Sequence, residues 1–332
     1  MNTFGRLFRV SMLGESHGEC VGVLLDGVPA GLALTSDEML PDLERRKGMG
    51  AKGTTPRKEA DIPMLKSGVF KGRTTGAPLL IMFENKDVDS KAYEMLKDTP
   101  RPGHADLVAR QKYGGFSDYR GGGHFSGRLT AALVAAGVVA KKLIAPARAE
   151  AKLVEAGGTT DEKSIGKAID AALADGDSIG GIVECRVKGL PAGLGEPFFD
   201  SAESLLGHVI LSIPAVKGVE FGAGFASARM RGSDCNDEIL DERGRTATNN
   251  AGGINGGITN GNELMLRAAV KPASSIRKEK GTVNLETGGR MPISVSGRHD
   301  ACIALRVPVV LEAAVAIALA DLMMIEQRIP RV

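Results

Sequence analysis

Two stretches of nearly uninterrupted apolar residues, 129–145 and 307–325, dominate the hydropathy pattern of the chain. A helix that is apolar on almost every side must be buried on almost every side. Both stretches are therefore expected to form helices inside the protein. The second stretch also contains Pro308, Glu312 and Asp321. These residues favour a buried helix over a membrane span.

Shorter segments around these stretches carry the patterns of strands and further helices. Short apolar runs bounded by turn residues are typical of strands, and runs with early acids and late bases are typical of helices. The patterns predict strands at 7–13, 21–28, 69–71, 78–84, 181–188, 219–225, 263–269 and 293–296, and helices at 36–46, 161–175 and 309–325. Ser36 is expected to cap the first helix. Together they predict an α+β fold with apolar helices packed between sheets. No linker or repeat divides 1–332, so a single domain is expected.

The composition is that of a globular protein whose overall charge does not indicate a strongly charged partner. Of its 332 residues, 43% are hydrophobic and 25% are charged, and the formal net charge is +2. This balance gives no general attraction to nucleic acid or to a membrane surface. Aromatic residues make up only 4% of the chain, which leaves few platforms for stacking single-stranded nucleic acid. An anionic ligand would have to be held by a local cluster of cations.

Cysteine and glycine usage narrow the kinds of site to expect. The four cysteines form no Cys-x-x-Cys pair, so no metal site is expected. The 44 glycines are about twice the ordinary share, which predicts tight turns or anion-binding loops. The first residues lack the apolar segment of a signal peptide, so the cytoplasm is the expected location.

Two short glycine-containing loops each hold a histidine that could transfer protons. Residues 14–18 read Gly-Glu-Ser-His-Gly, and residues 101–106 read Arg-Pro-Gly-His-Ala-Asp, in which Asp106 could orient the imidazole of His104. Histidine is the commonest proton donor and acceptor at neutral pH. The first motif also fits a serine hydrolase elbow built on Ser16. That elbow requires a following helix, whereas the next residues predict a strand and a turn.

Four further segments offer contacts to an anion or a ring. Residues 120–128 form a glycine-rich loop that leads into an apolar helix, whose N-terminus attracts anions. Residues 271–275 read Lys-Pro-Ala-Ser-Ser, which suits a phosphate group. The Gly/Asn-rich residues 249–261 could approach a flat ring or form a surface loop. Arg298 and Asp300 could serve a ligand or only pair with each other. No Walker or dinucleotide motif occurs.

In this order and spacing, the motifs resemble those of chorismate synthases over essentially the whole chain. The resemblance rests on Gly-Glu-Ser-His-Gly, Arg-Pro-Gly-His-Ala-Asp, Tyr-Arg-Gly-Gly-Gly, Pro-Ala-Gly-Leu-Gly-Glu-Pro, Val-Lys-Gly-Val-Glu, Lys-Pro-x-Ser-Ser and Gly-Arg-His-Asp. It implies a β-α-β sandwich, a homotetramer and a lyase. That lyase would convert 5-enolpyruvylshikimate 3-phosphate into chorismate and phosphate by anti-1,4-elimination, with reduced FMN. The residues alone leave open a serine hydrolase, a non-catalytic phosphate- or flavin-binding module and a flavin oxidoreductase.

The resemblance also implies roles for individual residues. His17 would donate a proton to the leaving phosphate, His104 would keep the flavin in its useful protonation state, and Asp300 would help pass the substrate proton to flavin N5. Substrate contacts would come from Ser16, Arg46, Lys52, Arg101, Arg128 and Arg298. Flavin contacts would come from His124, Phe125, Ser126, Asn250, Gly256, Lys271, Ala273, Ser274, Ser275 and Arg298. Residues 48–53 are the expected lid. Reduction of the flavin by NADPH or by an external reductant stays open.

The glycine-rich loop departs from the usual family sequence. His124, Phe125, Gly127 and Leu129 stand where the family commonly has Arg, Ser, Ala and Glu, and Lys52 stands where Arg is common. A lysine offers a point charge in place of a bidentate clamp. These departures predict altered contacts around the flavin.

Overall fold

The computed structural model describes residues 2–47, 53–54, 59–87, 90–295 and 300–329. The strands are Thr3–Phe4 (β1), Arg9–Gly14 (β2), Cys20–Asp26 (β3), Met64–Ser67 (β4), Val69–Phe70 (β5), Arg73–Thr74 (β6), Leu79–Glu84 (β7), Arg148–Ala156 (β8), Gly181–Lys188 (β9), Val216–Phe221 (β10), Ile254–Asn255 (β11), Ile258–Thr259 (β12), Leu264–Val270 (β13), Lys280–Val283 (β14) and Arg290–Ile293 (β15). The α-helices are Leu40–Lys47 (α1), Asp106–Lys112 (α2), Thr130–Leu143 (α3), Glu162–Ala174 (α4), Ala202–Leu211 (α5), Gly232–Cys235 (α6) and Val307–Ile325 (α7).

One antiparallel sheet has the strand order β1-β2-β3-β7-β4. Its central strand β3 buries Val21, Val23 and Leu25 completely, because alternate side chains of a strand point to the same face. Helix α3 packs on β3 and β7. The first long apolar stretch is thus covered by this sheet.

A second antiparallel sheet has the order β10-β13-β9-β8 and covers α7. Helices α3 and α7 pack against each other between the two sheets. They approach closely at Gly137, where a Cβ atom would collide with Ala313. Small residues at such a contact allow a short distance between helix axes. The expected β-α-β sandwich of an α+β fold is confirmed.

The two acidic residues of α7 are buried and hydrogen-bonded. Glu312 accepts hydrogen bonds from Arg45 at 2.6 Å and from Lys141 at 2.7 Å. Asp321 accepts hydrogen bonds from the backbone N–H groups of residues 6–8, at 2.7 to 3.0 Å. Buried carboxylates are tolerated when their acceptor sites are occupied in this way. Both residues therefore fix α7 to its neighbours.

The helical stretch Ile303–Ile325 is long and apolar enough to cross a membrane by length and composition alone. In this fold, 78% of its most apolar window is buried within the protein. A central helix of a layered protein has this same composition, because it must bury every side. The structure thus agrees with the prediction that this stretch is a core helix.

Most sequence-predicted elements lie within a few residues of the observed ones, but the predicted cap is wrong. Ser36 has helical backbone angles and makes no capping hydrogen bond with its side chain. A 3₁₀ turn, Asp37–Met39, precedes α1. The Thr35 N–H donates instead to Glu38 Oε2 at 2.9 Å, which is half of a capping box centred one residue earlier.

Several elements of the sandwich escaped prediction, among them β1, β4, β8 and α5. Strand β8 alternates charged residues with alanine, and alanine is depleted in strands, so the pattern carries little strand signal. Helix α5 contains Gly207, a weak helix former. Its start is nevertheless encoded, because Ser201 Oγ accepts a hydrogen bond from the Ser204 N–H at 3.0 Å.

Candidate active site

A cavity of about 270 Å³ opens beside the glycine-rich loop 120–128. Within the described ranges, basic side chains outnumber carboxylates in its lining. These charged residues are Arg46, Lys47, Arg101, Arg128, Lys271, Arg306, Glu59, Asp61 and Asp300. The chain as a whole carries a net charge of only +2. The cavity therefore concentrates the positive charge that an anionic ligand requires.

The glycine-rich loop lies against the two histidines predicted to carry proton chemistry. Gly121 and Gly122 have φ values of 59° and 82°, which glycine adopts without steric cost. A Cβ atom on Gly121 would collide with the His17 ring, and one on Gly122 would lie 3.3 Å from His104 Cε1. Glycine at these positions lets both imidazoles pack directly on the loop backbone.

His17 is 9% exposed and is not itself among the described residues that line the cavity; its ring lies directly behind Gly121, which does line it. Its Nδ1 is 3.0 Å from Ser90 Oγ, and its ring packs edge-on against Tyr93 with centroids 5.1 Å apart. The neighbouring Ser16 lines the cavity. Both residues lie in the turn between β2 and β3, which form a hairpin. Because a strand follows the motif, the strand–turn–helix geometry of a serine hydrolase elbow is not formed.

Asp106 joins Arg101 to His104. Arg101 donates from Nε and Nη2 to the two carboxylate oxygens, each at 2.8 Å, and Asp106 Oδ1 lies 2.5 Å from His104 Nδ1. We assign the proton to Nδ1, since the carboxylate can only accept. Burial raises the pKa of Asp106, but the hydrogen bonds from Arg101 and His104 outweigh it and hold that pKa well below its ordinary value. His104 Nε2, which lies against Gly122, is then the nitrogen that can exchange a proton.

Asp61 joins Arg46 to Arg128 in the most buried part of the lining. Its Oδ2 accepts from Arg46 Nη2 at 2.5 Å, and its Oδ1 accepts from Arg128 Nη1. Burial raises the pKa of Asp61, but the two arginines outweigh it and lower that pKa. Burial lowers the pKa of Arg46 to about 10; Asp61 opposes this shift, and the nearby charges of Arg306 and Arg128 add to it.

Arg306 connects Asp300 to the end of α1. Its Nη1 donates to Asp300 Oδ2 at 3.1 Å, and its Nε donates to the backbone oxygen of Arg46 at 2.8 Å. The side chains of Asp300 and Arg306 are 13% and 19% exposed. The carboxylate predicted to handle a proton is therefore held by a cation at the cavity.

The segment predicted to hold a phosphate meets the loop of Arg101. Lys271 Nζ donates to the Gly103 carbonyl at 2.6 Å and to Ser274 Oγ at 2.9 Å. Ser275 Oγ accepts from Arg101 Nη1 at 2.9 Å. Burial lowers the pKa of Lys271, and the charge of Lys217 lowers it further. Residues 168 and 174 positions apart in the chain thus form one wall.

The structure does not bring every predicted residue to this cavity. His124 donates from Nδ1 to the Gly14 carbonyl at 2.7 Å and lines a separate, mainly apolar cavity of about 250 Å³. The Asn250 N–H donates to Asp237 Oδ1 at 2.7 Å, and Gly256 lies in the turn between β11 and β12. Neither is among the residues that line the main cavity. Lys52, Arg298 and most of the predicted lid, 48–52, lie outside the described residues.

Sequence reasoning missed several charged or aromatic residues of the lining. Asp61, Glu59, Tyr93 and Arg306 all line the cavity. Arg306 carried a usable signal, because a cation directly before the N-terminus of a long helix opposes the helix dipole. Asp61 carried no such signal: its φ of 52° is uncommon for a residue other than glycine, but a backbone angle is not visible in the sequence.

Comparisons with known proteins agree on one family. The family model described as chorismate synthase matches residues 8–324. A chorismate synthase of Chitinophaga pinensis is 63% identical over 100% of this chain and 99% of its own length. A chorismate synthase of Archaeoglobus fulgidus is 46% identical over 100% of this chain and 99% of its own length.

The chain belongs to the chorismate synthase family.

A solved structure titled "Crystal Structure of Chorismate Synthase" has the same fold, with a TM-score of 0.75 and 27% identity over 97% of this chain and 93% of the other. Chorismate synthases are carbon–oxygen lyases that act on phosphates, and this chain is an enzyme of that class. Of the family residues recognised in the sequence, the ones that meet at the cavity are Ser16, Arg46, Arg101, His104, Phe125, Ser126, Arg128, Lys271, Ala273, Ser274, Ser275 and Asp300.

Proposed function

We propose that this enzyme converts 5-enolpyruvylshikimate 3-phosphate into chorismate and phosphate by anti-1,4-elimination, a step of the shikimate pathway. The observation that carries the proposal is the cavity in which Arg46, Arg101 and Arg128 lie together with His104 and Asp300. The substrate bears two carboxylates and a phosphate. A polyanion of this kind needs several cations at one place, and the lining supplies them.

The buried arginines would do more than bind the substrate. Positive groups fixed in advance stabilise negative charge that develops as a reaction proceeds. Charge accumulates on the departing phosphate, and Arg46 and Arg128 are both held by Asp61 before any ligand arrives. Arg101 is likewise held by Asp106, at 2.8 Å. The cavity would therefore need little rearrangement when the phosphate leaves.

Proton transfer would be divided among three groups of this chain. His17, packed between Gly121 and Tyr93, would donate to the leaving phosphate. Asp300, held by Arg306, would help to remove the ring proton. His104 would hold or release a proton at Nε2, because Asp106 engages its Nδ1. Histidine and aspartate side chains commonly act as general acids and bases in enzymes.

The lining has the donors and the apolar surface that FMN requires. Lys271, Ser274 and Ser275 would hold the phosphate of the flavin; Lys271 uses two of its three N–H groups on protein acceptors. Phe125 and Pro214 add apolar surface for a ring. When bound, reduced FMN would supply an electron that helps to expel phosphate and would recover it as the proton leaves. The residues of this chain bind and orient the reactants.

We further propose a single-domain subunit, a homotetramer and a cytoplasmic location. Large apolar side chains such as Phe198 and Phe199 are 87% and 91% exposed in the isolated chain. Exposed apolar surface of this kind commonly marks contacts between subunits.

The proposal is tested by an anaerobic assay with 5-enolpyruvylshikimate 3-phosphate and dithionite-reduced FMN. Phosphate and chorismate should appear in equal amounts and should both be absent with oxidised FMN. His17→Ala should lose phosphate release while still binding the substrate; full activity in that variant would refute the role of His17. Binding of substrate and flavin by the wild type without any turnover would overturn the proposed reaction and favour a non-catalytic binding module.

A further inference from the structure

Asp61 occupies an unusual position beneath the cavity. Its side chain is fully buried, and its backbone has a φ of 52°. That left-handed conformation is several-fold enriched in Asn and Asp but is uncommon in other non-glycine residues. Its two carboxylate oxygens serve two arginines, one oxygen for Arg46 and the other for Arg128.

The two arginines do not depend on Asp61 equally. Arg128 has further acceptors, since its Nε donates to Asn85 Oδ1 at 3.0 Å and its Nη2 donates to the Glu84 carbonyl at 3.3 Å. Among the residues that the structure describes, the Arg46 side chain has Asp61 as its hydrogen-bond acceptor, and Arg46 Nε is buried without a partner. The orientation of Arg46 therefore rests on one carboxylate.

Like charges surround Arg46 as well. Arg128 and Arg306 both act on it electrostatically, and Arg306 donates to its backbone oxygen. The side chain is only 4% exposed, so water screens these repulsions weakly. Without a nearby negative charge, Arg46 would be pushed away from the other two arginines before an anion could bind.

We propose that Asp61 is a positioning residue that holds Arg46 in the cavity in the absence of ligand. The anion-binding site of Arg46 and Arg128 is then formed before the substrate arrives. Asp61 acts through Arg46 and needs no contact with the substrate itself. The inference rests on the proposed function only for the identity of that substrate. A preformed site avoids the cost of ordering a long side chain on binding.

The central experiment compares wild type with Asp61→Asn. Asparagine tolerates the same backbone conformation and has nearly the same shape, so the variant removes mainly the charge. KM for 5-enolpyruvylshikimate 3-phosphate should rise about tenfold or more, with a much smaller change in kcat. Inorganic phosphate is the second probe. Its dissociation constant, taken from the ligand-induced rise in Tm, should rise in parallel. An unchanged KM together with an unchanged phosphate affinity would overturn the inference.

A double-mutant cycle separates positioning of Arg46 from a general loss of structure. In the Asp61→Asn background, Arg46→Gln should raise KM by no more than about twofold further, because Arg46 is already displaced. Arg128→Gln should keep most of its own effect, since Arg128 retains Asn85 and the Glu84 carbonyl. Additive effects for Asp61 and Arg46 would contradict the proposal.

Glu312→Gln is the matched control, because Glu312 is also a buried carboxylate with two basic partners, Arg45 and Lys141, but it lies outside the main cavity. It should lower Tm without changing KM or phosphate affinity. If Asp61→Asn does not fold, Asp61→Glu replaces it: the charge stays but moves by one methylene, and KM should still rise several-fold, whereas an unchanged KM would reject the positioning role.

The two proposals fail in different ways. A wild-type protein that does not convert 5-enolpyruvylshikimate 3-phosphate, but whose phosphate affinity drops on Asp61→Asn, would remove the proposed reaction and keep the role of Asp61. Normal turnover in both proteins, with equal KM, would keep the reaction and remove the role of Asp61.

Discussion

Arg45 and Arg46 are neighbours on α1, yet they belong to two different charge clusters. Arg45 pairs with Glu312 and Asp42, and Lys141 bonds to the same two carboxylates. Hydrogen bonding to Glu312 is the largest influence on the pKa of Arg45 and raises it. Burial is the largest influence on Arg46 and lowers its pKa to about 10. A single step along the helix separates a cation whose charge is matched by carboxylates from one whose charge is not.

The difference lies in the balance of charge. The outer cluster consists of Arg45, Lys141, Asp42 and Glu312. Its two cations are matched by two carboxylates, so it has no excess positive charge to offer a ligand. The inner cluster places Arg46, Arg128 and Arg306 near Asp61 and Asp300, which leaves excess positive charge in a buried place. Such an excess costs stability, and an anionic substrate would neutralise it. Buried ion pairs thus fix the architecture in one region, and in the other they would serve the ligand binding proposed above.

The largest expected effect concerns the outer cluster. Glu312→Gln should lower the free energy of unfolding by about 3 kcal/mol, because it leaves Arg45 and Lys141 without their shared buried partner. KM should stay within about twofold of wild type, because the cluster lies outside the main cavity. Urea unfolding and steady-state kinetics on the same preparations test this. A tenfold rise in KM would erase the distinction between the two clusters.

A smaller effect, on activity, is expected at Asp106, the carboxylate that bonds to Arg101 and His104 beside the cavity. Asp106→Asn should lower kcat/KM by about 10- to 100-fold, as losses of buried supporting contacts at functional sites commonly do. Asparagine has one acceptor oxygen where the carboxylate has two, and no charge, so it cannot serve both Arg101 and His104 Nδ1 as Asp106 does. The pH profile of kcat should shift, and Asp106→Glu should restore part of the activity. A variant with lower Tm but unchanged pH profile would assign Asp106 to architecture.

The smallest effect is a pH dependence of the outer cluster. Burial raises the pKa of Glu312, but Arg45 and Lys141 outweigh it, so the folded pKa lies below the ordinary value. A lowered carboxylate pKa stabilises the fold above the unfolded value, about 4.3, and this stabilisation is lost as pH falls through the folded value. The difference in stability between wild type and Glu312→Gln should therefore be full at pH 7 and shrink below about pH 4. A difference that grows in acid would contradict the assignment.

The layers of the fold were predictable because hydrophobic burial leaves a direct trace in sequence. The two apolar stretches could only be interior helices, and they became α3 and α7. Strand β9 was predicted at its observed bounds, because its apolar residues alternate with polar ones. Strand β8 was missed, because its inward residues include alanines that carry little strand preference.

The chemistry of the site was predictable only in part. Arg101, His104 and Arg128 lie in recognisable motifs, whereas Asp61 does not. Its two partners are 15 and 67 positions away in the chain, and no local spacing reveals a carboxylate shared at such distances. Asn250 illustrates the opposite case, because it belongs to a recognisable motif but lies away from the main cavity of its own chain.

The most direct test of the account is equilibrium binding of 5-enolpyruvylshikimate 3-phosphate in the presence of oxidised FMN, so that no turnover occurs. Wild type, Arg45→Gln and Arg46→Gln should be titrated calorimetrically under the same salt conditions. The account predicts that Arg45→Gln binds the substrate as wild type does, while Arg46→Gln binds it about 30-fold or more weakly, the loss expected for a buried charge contact. Equal affinities for the two variants would contradict the claim that the Asp61–Arg46–Arg128 cluster forms the anion site.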